Sequence, residues 1–492
     1  MVRLISPSSP FLDYYSATIG HCISVYNVLK ATRGSKILLD ILQITLNISF
    51  TITEGIFMIF LLFFILISIA FFQYQYSRLK LLSPTFWAAI MFSLVSFVYC
   101  VTFFSMNSDI SISTFFIILT FILVTGLGEY IGERIRIKKK ADSFYHIVND
   151  YGQGFIFISK WKVFFITIVY LYVAIDRYKH LAAIASTYGG GINGIISMMS
   201  SARVAFTAQN KRLVLGSTFV NQLGYIGEIS TYICMYIFLH NRLINKRRDT
   251  YYLFPLIPDL IMRLVTTSRT SFIMLFFALG ICYFSILLER GTLRRIRVPK
   301  WAYIAVFILS IVFLVYGRAR NEANEIQLVS YIQMYTSASI YGLNLILNGN
   351  ITKGPYFGFY SMQEIYRMLG ITHDEELTFQ RNFIFNRYGE ASNLYTSLNV
   401  PILDFGIIGC IILRFLAAIV ATKIIMGFLE TNKQNRKKHL YLFFVISLLY
   451  CYFYSAFGDV FRDYYFNPGL MIRYLIYGII LLYGFLRPKI RI

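Results

Sequence analysis

The sequence predicts an all-α polytopic membrane protein. Hydrophobic residues make up 57% of its 492 residues, and charged residues only 14%, whereas soluble domains usually carry about 25% charge. Several runs of roughly 18 or more residues are almost wholly apolar, which is the length a helix needs to cross a bilayer. These observations exclude a soluble domain, a disordered chain and a small disulfide-stapled chain.

The apolar runs define the predicted elements in order. A weaker run at 37–52 contains Asp40 and Asn47. Without or with it, the sequence predicts eleven or twelve transmembrane helices in a single integral membrane domain, residues 1–492. The clear runs are 54–73, 85–105, 110–130, 161–179, 216–239, 251–267, 270–288, 301–317, 401–427, 439–457 and 469–486.

The charge distribution predicts how the helices are oriented. The net charge is +22, and the basic residues cluster in alternate short loops. Cytoplasmic loops carry such an excess of Lys and Arg, so that side and both termini are predicted to be cytoplasmic. Because these clusters lie between apolar runs, the basicity does not indicate a nucleic-acid partner. The clusters lie in 131–160, 240–250, 290–300, 433–438 and 487–491.

Two longer segments fall on the predicted external face. The first is 180–215, and the second, 318–400, is the longest soluble-looking stretch of the chain. Within the second, 326–347 and 361–370 show helical periodicity. The sequence therefore predicts a large external loop late in the chain.

A set of arginines lies on the predicted external face, against the usual bias. Its members are Arg263 and Arg269 around the turn between two apolar runs, Arg318 and Arg320 after the next outward run, and Arg381 and Arg387 late in the large loop. Charge at membrane depth is costly unless it is paired or faces water, and guanidinium groups bind phosphate oxygens through paired hydrogen bonds. For any single residue, an arginine at a helix end that snorkels or forms a salt bridge explains the position equally well. Together they predict an anion site, built first from Arg269, Arg318 and Arg387 and then from Arg203 and Arg381.

Segment 381–409 is rich in amide, hydroxyl and aromatic side chains, which suit sugar binding. At its end Asp404 enters an apolar helix beside Gly406 and Gly409. An intramembrane carboxylate is a functional candidate, but the dipole at a helix N-terminus also favours an acid there, and both readings stay open. No nucleotide-binding or zinc-binding motif is present, so no cofactor and no metal site are predicted.

One combination of residues resembles a known family. Asn393-x-Tyr395-Thr396, followed by Asp404-Phe405-Gly406-x-x-Gly409, is similar to the signature of Wzy-type polymerases of oligosaccharide repeat units, the O-antigen polymerases. The Ser268-Arg269 turn that opens an apolar helix resembles a second family feature. The helix count and the late external loop also fit. The specific part covers about 30 residues, and the spaced Arg-to-Gly repeats of some members are not clear here.

The resemblance implies a GT-C-like membrane glycosyltransferase of the bacterial inner membrane, active on its external, periplasmic face. Its substrate would be an oligosaccharide linked to undecaprenyl diphosphate in the membrane lipid, and its product O-antigen or a related surface polysaccharide. The growing chain would move onto the non-reducing sugar of a new repeat unit, with diphosphate as the leaving group. A polysaccharide chain-length regulator would be a partner, and no cofactor would be needed.

The resemblance also implies roles for residues. The arginines would stabilise the diphosphate, while Asn393, Tyr395 and Thr396 would contact the glycan. The acceptor hydroxyl needs a base, for which the candidates are His373, Glu390 and Asp404. His373 stands beside three acidic residues, so a solvated acidic turn explains it as well as catalysis does.

Two other functions remain as alternatives. A ligase that moves finished glycan to lipid A would share the external arginines and the late loop. A flippase for lipid-linked oligosaccharide would show two related halves with broken helices near the midplane. The sequence shows neither, so the flippase is the weaker alternative.

Overall fold

A computed structural model describes the fold. The residues described are 57–102, 110–137, 154–187, 218–265, 269–290, 328–349, 351, 357–371, 384–385, 391–392, 395–431 and 435–491. Residues Ile59–Ile492 form one unit and Met1–Met58 another, so all elements except the first two residues of α1 belong to the larger unit. The predicted spans 37–52 and 301–317 lie outside the described residues.

The described chain is mostly helical. Its helices are α1 Phe57–Tyr76, α2 Pro84–Thr102, α3 Ile112–Ile137, α4 Lys160–Thr187, α5 Thr218–Asn245, α6 Leu256–Val265, α7 Arg269–Glu289, α8 Leu328–Leu347, α9 Gln363–Met368, α10 Asn399–Glu430, α11 Arg436–Phe453, α12 Phe461–Tyr465 and α13 Pro468–Ile479. A π-helical stretch, Ile480–Leu486, continues α13. The short strands are β1 Phe155–Phe157, β2 Ile384–Phe385, β3 Ala391–Ser392 and β4 Lys489–Arg491.

Within the described residues, six helices are long and apolar enough to cross a membrane: α1, α2, α3, α7, α10 and α13 with its π-helical continuation. Three more described helices, α4, α5 and α11, have 28, 28 and 18 residues but carry more polar side chains. This confirms the prediction of an all-α membrane protein.

The predicted span 251–267 is not a single long helix. A 3-10 turn, Thr250–Leu253, is followed by α6, which has only 10 residues. Pro255 precedes α6, and proline ends a helix because it lacks the N–H donor. At 1.5 Å per residue α6 is about 15 Å long, half the hydrocarbon thickness of a bilayer. Its Asp259 and Arg263 are buried in the protein.

One end of the helical body, called here the sheet end, gathers several predicted cytoplasmic segments. β1 pairs antiparallel with β4 at the chain's end. The Asn241 amide donates to the Ile156 carbonyl (2.7 Å) and accepts from its N–H (2.9 Å). Lys438 and Glu289 form a nearly buried ion pair with an N···O distance of 2.7 Å. Loops predicted from charge to share one side therefore contact one another.

Helices α3 and α10 approach closely because small residues face each other. A Cβ added to Gly128 would lie 2.7 Å from the Phe415 carbonyl oxygen, and one added to Gly132 would lie 2.8 Å from Thr422 Cβ. Small residues four apart permit such contact between membrane helices. The glycines of α3 therefore serve helix packing.

A buried carboxylate fastens the turn between α1 and α2 to α3. Glu129 is 1% exposed, and burying an ionised group is costly unless hydrogen bonds compensate it. Its two oxygens accept hydrogen bonds at 2.7–3.2 Å from the Gln73 amide, the Ser77, Ser83 and Thr85 hydroxyls and the Thr85 N–H. This extensive hydrogen bonding indicates a structural role.

The helix predicted at 326–347, within the segment predicted to be an external loop, is present as α8. It packs against α2 and α3. The Asn344 amide oxygen accepts from the Ser111 N–H at 2.8 Å and from the Thr114 hydroxyl at 3.0 Å, which ties α8 to the start of α3. The shorter predicted helix, 361–370, appears as α9.

Helix α10 is interrupted near its start. Gly406 has φ 72° and ψ 177°, a conformation essentially restricted to glycine. Arg414 donates a hydrogen bond to the Ser397 carbonyl. In a straight helix residues 399 and 414 would be about 22 Å apart, further than an arginine side chain reaches. The segment before Gly406 therefore folds back against the segment after it.

Candidate functional site

A polar cavity of about 320 Å³ lies among α4, α5, α6 and the start of α7. Its lining includes Tyr170, Arg177, Glu228, Asp259 and Arg263. A concave site with a few convergent polar groups is the usual form of a small-molecule site. In a chain this apolar, four charged side chains on one cavity mark the strongest candidate site among the described residues.

Two glycines on α5 shape the cavity. A Cβ at Gly227 would lie 2.2 Å from the Tyr170 ring, and one at Gly224 would lie 3.2 Å from Arg177 Nη2. Without these side chains, α4 can approach α5 closely and direct both residues toward α6. The spacing of small residues on α5 therefore helps to place a tyrosine and an arginine in the cavity wall.

Asp259 and Arg263 form the buried ion pair of the cavity. They lie one turn apart on α6, with Arg263 Nε 2.6 Å from Asp259 Oδ2. The Tyr170 hydroxyl donates to Asp259 Oδ1 at 2.6 Å. Arg263 also donates to the Tyr232 hydroxyl at 3.1 Å and to the Ser271 carbonyl. A buried pair persists when such additional hydrogen bonds compensate its lost hydration.

Glu228 is the second carboxylate on the cavity. It accepts hydrogen bonds from the Tyr232 hydroxyl (3.2 Å) and the Tyr474 hydroxyl (2.9 Å). Arg263 Nη2 lies 3.7 Å from its Oε1. The Glu228 side chain is 20% exposed, whereas that of Asp259 is 2% exposed. Glu228 is therefore the more accessible of the two carboxylates.

Arg177 has a different environment from Arg263. Its Nη2 donates to the Asn221 amide oxygen at 3.2 Å. Its Nε is buried without a hydrogen-bond partner, and no carboxylate among the described residues pairs with it. The two arginines balance the two carboxylates formally, but only Arg263 is paired directly. The free hydrogen-bonding capacity of Arg177 suits an anionic oxygen.

The carboxylate oxygens of Asp404 accept hydrogen bonds from backbone N–H groups. The carboxylate accepts from the Tyr360 N–H at 3.1 Å to each oxygen and from the Ser361 N–H at 2.6 Å. The residue therefore attaches the segment before α9 to the first turns of α10. The structure shows an anchoring role for Asp404, and its role as a base remains a prediction.

Tyr395 and Thr396 are also described and are 5% and 0% exposed. The Thr396 hydroxyl donates to the Asn399 amide oxygen and accepts from the Leu398 N–H at 3.3 Å. These bonds stabilise the start of α10. Neither side chain presents an open glycan-binding surface in this conformation.

The other predicted site residues are not brought together by the described structure. Arg269 begins α7, two residues before Ser271 on the cavity, but only its backbone is described. The remaining predicted residues lie outside the described ranges: His373, Glu390, Arg318, Arg387, Arg203, Arg381 and Asn393.

Sequence reasoning noted Arg263, beside the turn between two apolar runs, but did not include it in the anion site. It did not single out Arg177, Glu228 or Asp259. Glu228 lies inside a predicted span, and Asp259 and Arg263 are one helical turn apart in another. The rule that intramembrane charges mark functional sites would have found them. Arg177 stands among charged neighbours at a span's end, so its sequence position does not distinguish it.

A second buried ion pair supports the fold-back of α10. Arg414 Nη2 lies 3.3 Å from Asp459 Oδ1, and the guanidinium lies 3.7 Å from the centre of the Phe461 ring. Burial raises the pKa of the Asp459 carboxyl, and Arg414 opposes that shift. This pair joins α10 to the loop after α11 and does not line the cavity.

In comparisons with known proteins, no family model, no curated protein and no solved structure matches the chain. Within the described residues, no group of three or more His, Cys, Asp or Glu side chains could hold a metal ion. The case for function therefore rests on the sequence motifs and on the cavity itself.

Proposed function

We propose that the protein is a glycosyltransferase that joins oligosaccharide repeat units carried on undecaprenyl diphosphate, as the resemblance to Wzy-type polymerases implies. Its product would be O-antigen or a related surface polysaccharide of a bacterial inner-membrane pathway. The proposal includes a GT-C-like architecture with the active face external and residues 318–400 as the external loop. A chain-length regulator would be its partner by the same resemblance.

The observation that carries the proposal is the incompletely paired guanidinium of Arg177 in the cavity. A diphosphate offers several anionic oxygens, and a guanidinium binds them through charge-assisted hydrogen bonds. Arg177 is the seventeenth residue after Lys160, the start of α4 beside β1, hence about 25 Å along the helix. If the sheet end is cytoplasmic, the cavity lies toward the external face.

The same arrangement suits glycosyl transfer chemically. Negative charge grows on the leaving diphosphate as its bond to the sugar breaks, and fixed positive groups stabilise that charge. A charge-assisted hydrogen bond is worth about 1.5–3 kcal/mol. Arg263 is paired with Asp259, so its role is to stabilise the cavity wall. Arg177 contacts the anion. Arg269 would add to the site from the start of α7.

The proposal is tested in cells that lack the gene, with surface glycan separated on a gel. Wild type should restore polymer, and Arg177→Gln should give single-repeat product, because the anion contact is lost. Lys179→Gln, an exposed change on the same helix, is the matched control and should restore polymer. An Arg269→Ala copy tests the predicted second contact, with single-repeat product expected.

Three outcomes would contradict the proposal. Polymer that forms without the gene but stays on its carrier lipid would indicate a ligase. Repeat units trapped on the cytoplasmic face would indicate a flippase. Normal polymer with both Arg177→Gln and Arg269→Ala would exclude the cavity as the diphosphate site.

A further inference from the structure

We propose that the Glu228 end of the cavity is the subsite for the acceptor sugar, with Glu228 as the proton acceptor for its attacking hydroxyl. The inference rests on the proposed glycosyl transfer and assigns a residue that is not among the predicted bases. It places the nucleophile and the leaving group in one cavity, at Glu228 and Arg177 respectively.

Accessibility distinguishes the two carboxylates. Asp259 accepts from Arg263 at 2.6 Å and from Tyr170 at 2.6 Å, and its side chain is almost fully buried. Glu228 lies further from the guanidinium, at 3.7 Å, and its side chain retains exposure. A carboxylate oxygen has more than one acceptor position, so Glu228 can accept a further hydrogen bond from a ligand hydroxyl.

Three helices fix the orientation of Glu228. The residue lies on α5, the Tyr474 hydroxyl reaches it from α13, and Arg263 approaches from α6. Tyr232, on the same helix, donates to its other oxygen. Catalytic groups act efficiently when such surrounding contacts hold them in place. Donors from α5, α6 and α13 therefore hold this partly exposed carboxylate in one orientation.

Aromatic rings flank this end of the cavity. Tyr225 lines the cavity, and its ring packs edge to face on Tyr474 with centroids 5.3 Å apart. A sugar presents hydroxyls at its rim and C–H groups on its faces. A carboxylate beside tyrosine rings therefore matches both parts of a sugar, in the way that pockets combine apolar walls with a few polar groups.

The proposed step balances as follows. The acceptor hydroxyl oxygen forms a bond to the anomeric carbon of the donor sugar while the bond from that carbon to the diphosphate oxygen breaks. The hydroxyl proton passes to the Glu228 carboxylate. The bonding electron pair leaves with the diphosphate, whose added negative charge is held near Arg177. Glu228 later releases the proton to water.

The test uses the full-length protein in lipid nanodiscs with a synthetic polyprenyl-diphosphate-linked repeat unit that carries a fluorophore on the lipid. Loss of a general base lowers rates by about 100- to 10,000-fold. Glu228→Gln should lower polymer formation by a factor in that range while the dissociation constant for the donor stays within about twofold, since the anion contact is intact. Arg177→Gln should instead weaken donor binding.

Further variants separate catalysis from structure. Glu228→Asp keeps a carboxylate and should retain more activity than Glu228→Gln, with a pH profile that still falls on the acid side. Tyr225→Ala should slow transfer more than Tyr225→Phe does, because the phenylalanine keeps the ring. Tyr172→Phe, on the exposed face of α4, is the matched control and should behave as wild type.

The outcomes are distinguishable. Glu228→Gln with the wild-type rate of polymer formation would overturn the assignment and leave the proposed polymerase intact. Glu228→Gln that loses donor binding together with its thermal melting transition would also overturn it, because the residue would then be structural. A wild-type protein that forms no polymer from this substrate would overturn the proposed function, and the inference with it.

Discussion

Arg177 and Arg263 lie on the same cavity, yet their surroundings give them different chemistry. Arg263 is held by Asp259, Tyr232 and Ser271, so it has little capacity left for a ligand. Among the described residues, Arg177 donates only to the Asn221 amide, and its buried Nε has no partner. At the scale of the residue, the capacity of a side chain to bind a ligand therefore depends on how many hydrogen bonds it already makes within the protein.

Gly406 shows how one residue sets a local conformation, and it gives the first prediction at this scale. A Cβ there is disfavoured at φ 72°, at a cost of about 1–3 kcal/mol. Gly406→Ala should lower the free energy of unfolding by this amount, measured by denaturant titration in mixed micelles. Gly280→Ala in α7, whose added Cβ would lie 3.7 Å from the Phe284 ring, is the control. Equal stabilities of the two variants would contradict the expected strain.

At the scale of the element, close packing in the membrane depends on paired small residues. Gly128 and Gly132 of α3 meet Ala418 and Thr422 of α10. Apolar side chains gain little from association in lipid, so close backbone approach must supply the attraction.

The packing of α3 on α10 predicts that alanine substitutions at two glycines of α3 have different effects on the melting temperature. Gly128→Ala puts a methyl 2.7 Å from a backbone oxygen, whereas at Gly126 the nearest atom is a Thr85 methyl at 3.5 Å. Overpacking costs about 1–3 kcal/mol. Gly128→Ala should therefore melt at a lower temperature in detergent, and Gly126→Ala should not. A lower melting temperature for both would contradict the assignment to the close contact at Gly128, because Gly126 has room for a methyl group.

At the scale of the whole molecule, the described elements separate into a sheet end and an opposite end. β1, β4 and the Lys438–Glu289 pair mark the first. The short helix α12 and the turn before it follow the far end of α11. The positive-inside bias predicts that the sheet end is cytoplasmic. If it is, the cavity lies toward the external face, where we propose that lipid-linked repeat units are joined.

This orientation is tested by cysteine labelling in cells. Arg248→Cys lies in an exposed loop near the sheet end, and Asp463→Cys lies in α12 at the opposite end. A membrane-impermeant maleimide should label Asp463→Cys in intact cells and Arg248→Cys only after permeabilisation. The unsubstituted protein reports background from its own cysteines. The reverse pattern would invert the orientation and remove the external site.

The sequence by itself determined the class of fold and most helix positions. Apolar runs of bilayer length leave few alternatives, because exposed backbone groups cannot be left unsatisfied in lipid. It also predicted α8 within the late loop and placed the basic segments on one side, where the structure shows contacts between several of them. The prediction of a single span at 251–267 was wrong. Hydropathy does not show that Pro255 interrupts the helix or that Asp259 and Arg263 are paired inside the protein.

The tertiary structure alone decided which polar residues meet. Tyr170, Glu228, Asp259 and Tyr474 are distant in sequence, and no local pattern encodes the contacts among α4, α5, α6 and α13 that join them. The structure likewise showed that Asp404 is held by backbone donors and that Thr396 is buried. Hydropathy depends on each residue's own chemistry and can be read along the chain, whereas pairing and accessibility depend on neighbours that only packing supplies.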